Sequence, residues 1–117
     1  MDDLNNIFFL GNLTKDPELG QTEHGCPYTE ISIAVNKNFN NSQGENIQTV
    51  DYVSLTCFNT LAHNCACSLK KGSRVLVAGH VKFKSQRDEE KKQNRMFLVA
   101  GVVAASLEFD EVMIPGS

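Results

Sequence analysis

Tryptophan is absent from this 117-residue chain, so its aromatic chemistry falls on seven Phe and two Tyr. No apolar run approaches the roughly 20 residues needed to cross a bilayer, and the opening Met1-Asp2-Asp3 lacks the basic start of a secretory signal. A membrane span and a secretory route are excluded on this reading, and a soluble cytoplasmic protein is expected. The four cysteines, Cys26, Cys57, Cys65 and Cys67, are too few and too irregularly spaced for a disulfide framework and form no CxxC pair, which predicts reduced thiols. Also missing are a Gly-rich phosphate loop, paired catalytic carboxylates and a serine elbow. No enzyme is expected. His63 and Cys67, four residues apart on a predicted helix, face one another with Cys65 nearby, but two ligands do not make a zinc site. Neither a metal nor a cofactor is expected.

What is present begins with an uneven charge. The formal net charge is −3, yet residues 1–69 hold two basic side chains against eight acidic, and residues 70–95 hold nine basic against three acidic. A basic stripe on a nearly neutral body is the electrostatic footprint of a phosphate-backbone binder, and equally of a solvated Lys-rich hairpin. The length sets one domain, able to bury roughly two thirds of the surface its unfolded chain exposes.

Hydrophobic spacing supplies the elements. Residues 4–14 carry Leu4, Ile7, Phe8, Phe9, Leu10 and Leu13 up to the turn-prone Lys15-Asp16-Pro17, a first strand. From Tyr28 to Lys37, Ile31, Ile33 and Val35 alternate with polar or small residues, a half-buried second strand. Asn38 to Thr49 reads as a polar loop holding Phe39. Val50 to Phe58 alternates again, with Val53, Leu55 and Cys57 as the core row. Tyr52 and Phe58, an even number of residues apart, then share the opposite face about 20 Å from one another. Asn59-Thr60 as N-cap, the stripe Leu61, Ala62, Cys65, Ala66 and Leu69, and Lys70-Lys71-Gly72 as basic last turn and stop predict one short helix. A fourth strand runs through Val75, Val77, Gly79, Val81 and Phe83, a charged loop spans Ser85 to Asn94, and Met96 to Phe109 forms a fifth strand.

Three strands, a helix and two strands is the chain order of the OB-fold barrel, whose outer face and loops bind oligonucleotides or oligosaccharides. The expected architecture is therefore all-β with one short helix, a five-stranded OB-fold barrel over residues 4–109, followed by a short tail at 110–117. Closing the sheet removes exposed strand edges and accounts for a last strand that is apolar on both faces, with Gly101 as a bend.

The run Asn6-Ile7-Phe8-Phe9-Leu10-Gly11-Asn12-Leu13 followed by Asp16-Pro17-Glu18, and the run Leu69-Lys70-Lys71-Gly72-Ser73-Arg74-Val75, resemble the first strand and the entry to the fourth strand of bacterial-type single-stranded DNA-binding proteins. The resemblance extends over about residues 5–109. It implies sequence-independent binding and protection of single-stranded DNA in replication, recombination or repair, by bases stacking on aromatic rings while basic side chains follow the phosphates. Phe39 matches a family aromatic that is usually Trp, Tyr52 a second such position, and Phe58 a Phe position of the family motif. A further family Trp corresponds to Gln86, with Phe83 three residues earlier as a partial substitute, and a family basic position is Ser54.

Lys70, Lys71, Arg74, Lys82, Lys84 and Arg87 match or neighbour family positions that face phosphate. Lys91, Lys92 and Arg95 have Asp88, Glu89 and Glu90 beside them as pairing partners. The resemblance also implies a nucleoid-associated homo-oligomer, usually a tetramer with a dimer as alternative. Five short strands have limited capacity to bury both Phe8 and Phe9, so one of the two leaves the barrel interior and the first strand is expected at an interface. Family members often end in an acidic tip after a linker, recruiting replication or repair proteins. The segment Asp110 to Ser117 has acids and Ile114-Pro115 but no terminal Phe, so recruitment through it is doubtful. Two other readings belong to the same fold: a primosomal replication-restart accessory protein, generally poor in Trp, and a protein-binding OB-fold adaptor, favoured by the acidic first half.

Overall fold

In an extended chain alternate side chains leave on opposite faces, so Val53, Leu55 and Cys57 form one row while Tyr52, Ser54, Thr56 and Phe58 form the other. The computed structural model describes residues 3–88 and 91–108, the side chains of 85–94 excepted. In it Leu55 and Cys57 are fully buried and Val53 packs against the same core. The elements follow in the order β1 (Ile7–Leu13), β2 (Gly20–Gln21), β3 (Pro27–Asn40), β4 (Asn46–Phe58), α1 (Asn59–Ser68), β5 (Arg74–Asp88) and β6 (Lys91–Ala105).

The two-residue β2 extends the edge of β3, and the five longer strands close on themselves. β1 pairs with β5, β5 with β6, and β4 with β3, all antiparallel. β6 runs parallel to β4 with Thr56 opposite Val99, and β1 returns to β3 through Asn12–Ala34 and Leu13–Ile33. This is the expected five-stranded OB-fold barrel. Closure requires backbones to approach closely at two glycines: a β-carbon at Gly11 would overlap the Ala34 carbonyl, and one at Gly79 would overlap the Val99 carbonyl. Beside Gly79 the ladder slips, because Ala78 faces Val102 while Gly79 faces Ala100, leaving Gly101 as the extra residue of a β-bulge. The inward row of β6 shifts by one across it, from Leu98 and Ala100 to Val103.

The core is built from Leu13, Ile31, Ile33, Leu55, Cys57, Val75, Val77 and Ala100, with Ala62 and Cys65 contributed by α1. Full burial of each branched aliphatic contributes about 1.5–3 kcal/mol. Thr29, the buried polar residue among the described ones, donates its hydroxyl to the Glu18 carbonyl at 2.7 Å. Of the two neighbouring aromatics in β1, Phe9 packs on the core and Phe8 lies 70% exposed on the outer face.

Four local expectations are corrected. Phe39 lies in β3, not in a loop, because the β3–β4 ladder continues to Asn40–Asn46 and the turn is confined to 41–45. There the Asn41 side-chain oxygen accepts the backbone N–H of Gln43 and of Glu45, both at 2.9 Å. The span Ser85 to Asn94 likewise continues the β5–β6 ladder as far as Asp88–Lys91. Backbone pairing continues through residues whose sequence carries no apolar alternation, so the strands outlast the pattern that marks them. The helix is entered through extended Phe58 without a side-chain cap, and Asn59 adopts φ 60°, a conformation Asn tolerates. Its side-chain oxygen instead accepts the Cys26 thiol at 3.1 Å. The helix ends at Ser68, which leaves Lys70 and Lys71 beyond its last turn.

Candidate nucleic-acid interface

The outward rows of four strands meet on one side of the barrel. The register places Tyr28 opposite Phe58, Glu30 opposite Thr56, Ser32 opposite Ser54 and Ala34 opposite Tyr52. Tyr52 is 76% exposed, with no core contact to hold it. Across the Thr56–Val99 contact the outward row of β6 continues, with Val99 opposite His80, Phe97 opposite Lys82 and Arg95 opposite Lys84 on β5. Thr56, Phe58, Lys82, Lys84, Phe97 and Val99 line an open cavity of about 390 Å³. Its lining is mostly apolar and includes two lysines, a combination suited to a flat apolar ring joined to an anion.

The aromatic positions expected from sequence do not form one surface. Tyr52 and Phe58 share the outer row. Phe39, opposite Ile47, belongs to the other face of its hairpin, with Lys37 and Asp51, which are themselves ion-paired. Phe83, opposite Met96, also points away from the Lys82–Lys84 face, and both are about two-thirds exposed.

The basic residues divide as well. Lys82 and Lys84 stand on the aromatic face, whereas Arg74 lies eight residues back along β5, about 26 Å at about 3.3 Å per residue. There Arg74 is held by Glu108 at 3.2 Å and by the Asn12 side-chain oxygen at 2.8 Å. Lys70 and Lys71 occupy the turn after α1, where the Lys71 backbone N–H donates to Asp16 at 2.6 Å and both side chains are exposed. The backbone of Arg87 belongs to β5, while its side chain lies outside the described residues, as does that of Gln86.

Hydrophobic spacing gives Phe97 no role beyond the fifth strand, and the sequence sets Arg95 beside acidic neighbours. Locating them opposite Lys82 and Lys84 requires the β5–β6 register, which a ten-residue span without glycine or proline does not reveal.

Cysteine chemistry has little to work with. Cys57 is pushed above the usual thiol range by its contact with Cys65 and by burial, so it stays protonated. His63 and Cys67 do meet, at 3.8 Å, but among the described residues no group of three or more ligands surrounds a metal position.

The single-strand binding protein family model matches residues 4–110. The chain belongs to this family. A family member from Listeria innocua, single-stranded DNA-binding protein 2, is 37% identical over 108 residues, covering 92% of this chain and 65% of the relative. Another, the single-stranded DNA-binding protein of Halalkalibacterium halodurans, is 36% identical over the same number of residues, covering 92% and 61%. The chain thus spans less than two thirds of the length of these relatives. A solved complex of the Plasmodium falciparum protein with single-stranded DNA has the same fold, with a TM-score of 0.75 at 17% identity over 91% of this chain and 97% of that one. In the middle of the face the Ser54 hydroxyl meets that of Ser32 at 3.2 Å, and the neighbouring Glu30, opposite Thr56, places a carboxylate there that is ion-paired with Lys15.

Proposed function

We propose that this chain binds single-stranded DNA without sequence preference and protects it during replication, recombination or repair, as a binding protein and not a catalyst. The observation that supports this most directly is the joining of Tyr52 and Phe58 to Lys82 and Lys84 on one outward face. Stacking on aromatic rings tolerates every base, and the ammonium groups follow the backbone that all sequences share. The names of the family relatives support the same ligand. Lys37–Asp51, Lys15–Glu30 and the bond from Lys71 to Asp16 engage acids of the first half of the chain internally, which weakens the support for a protein-binding adaptor.

An outer apolar face on β1, β5 and the end of β6, made of Phe8, Leu10, Leu76 and Val102, supports assembly as a homo-oligomer, a tetramer or a dimer. Coating a strand favours such assembly, since one barrel offers few platforms. A DNA ligand supports a cytoplasmic, nucleoid-associated setting. Among the described residues no helix is long and apolar enough to cross a membrane. Recruitment of replication or repair proteins through residues 110–117 rests on a segment outside the described residues.

Fluorescence-polarisation titration with labelled oligo-dT, matched RNA and matched duplex tests the proposal. Preferential binding of the single DNA strand is expected. Absence of binding to every oligomer at low salt overturns it in favour of the adaptor.

A further inference from the structure

We propose that Phe97 is a base-stacking residue, that it forms with Phe58 a pocket for a single nucleobase, and that Arg95 joins Lys82 and Lys84 in holding the adjoining phosphate. The inference rests on the single-strand reading and adds to it two residues and a discrete subsite.

Three observations carry it. The cavity between β4 and β6 is bounded by the rings of Phe58 and Phe97, 39% and 38% exposed, neither packed fully into the core nor freely solvated. Its volume of about 390 Å³ falls within the size range of about 300–1,000 Å³ typical of pockets for small ligands. Thr56 and Val99, which also line it, pair β4 with β6, so the two strands that carry Phe58 and Phe97 are positioned by backbone hydrogen bonding.

The charge pattern supplies the other half. Lys84 lies directly opposite Arg95, and like charges facing one another across a ladder destabilise it. No ion pair joins Lys82, Lys84 or Arg95 to an acid among the described residues. An anion seated between them removes the repulsion, and the phosphate attached to a base lying between Phe58 and Phe97 supplies one. Phe97 faces Lys82 on the adjoining strand, which brings ring and cation together in one ligand-sized space.

The absence of Trp elsewhere makes a direct test available. Phe97→Trp places a sole indole in the pocket, and Met96→Trp places one next to it in sequence on the opposite face. Titration with oligo-dT, followed by polarisation of the labelled strand and by indole fluorescence, is expected to quench Phe97→Trp strongly and Met96→Trp little. Phe97→Leu, which keeps apolar volume without a ring, is expected to lose about ten-fold in affinity at unchanged melting temperature and salt slope. Arg95→Ala is expected to reduce the log–log salt slope by about 0.7. Unquenched Phe97→Trp on a strand that polarisation shows to be bound overturns the pocket and leaves single-strand binding intact. Equal quenching at both positions overturns the assignment of faces. Failure of the parent chain to bind oligo-dT overturns both readings together.

Discussion

Phe39 and Tyr52 project from opposite faces of one hairpin: Phe39 pairs with Ile47 and Tyr52 with Ala34, an odd row and an even row of the same ladder. Tyr52 shares its row with Phe58, so Tyr52→Ala is expected to weaken oligo-dT binding by about 1–3 kcal/mol with little change in melting temperature. Phe39→Ala is expected to cost less than half as much. Polarisation titrations beside thermal melts check the pair; an equal loss at Phe39 means that the strand passes over both faces of the hairpin.

Salt dependence separates the two groups of basic residues. About four phosphate contacts per subunit give a log–log slope near −3, since each releases counterions at about 0.7 per contact. Lys82→Ala should lower that slope by about 0.7, whereas Arg74→Ala should leave it unchanged and reduce stability, because Arg74 already serves Glu108 and Asn12. Titrations between low and moderate salt measure both.

Gly79 and Gly101 lie at the same bulge and differ in space. A β-carbon at Gly79 would overlap the Val99 carbonyl, while one at Gly101 meets nothing nearer than the Ala78 oxygen at 3.7 Å. Gly79→Ala is expected to cost about 1–3 kcal/mol or more, read as a melting temperature lowered by several degrees. Gly101→Ala is expected to melt close to the parent protein.

Sedimentation tests the apolar outer face. The parent chain is expected to sediment well above its 12.9 kDa monomer mass at micromolar concentration. Phe8→Glu places a charge among Phe8, Leu10, Leu76 and Val102 and should shift the protein toward monomer. A parent chain that remains monomeric removes this face as an interface.

Thiol reactivity reports on the closure of the barrel. Cys67 is exposed and Cys57 is buried and held protonated, so alkylation in the native state should modify Cys67 and spare Cys57 until denaturant is added. Native modification of Cys57 at the rate of Cys67 would show that β4 opens readily from α1.

The barrel was legible because burial repeats every second residue wherever a strand faces a core. Ile31 and Ile33, Leu55 and Cys57, and Val75 and Val77 marked three strands, and the largest fully buried side chains lie in these rows. The same parity put Tyr52 and Phe58 outside together and Phe8 and Phe9 on opposite faces. These features depend only on neighbours along the chain, so the amino-acid order by itself determined them.

Pairing between strands does not depend on chain neighbours. That Phe97 stands opposite Lys82, that Arg95 faces Lys84, and that Gly101 is left over while Gly79 meets Ala100 follow from register and from the bulge that lets the sheet close. The hairpin ends extend past the core, where no hydrophobic row marks register, and Phe39 and Phe83 fall there on faces turned away from Tyr52 and Lys82 respectively. Composition and alternation thus determined the barrel and its outward residues. Only the tertiary structure decided which of them share a surface, because backbone hydrogen bonds between distant segments set the register and carry no signature in either segment alone.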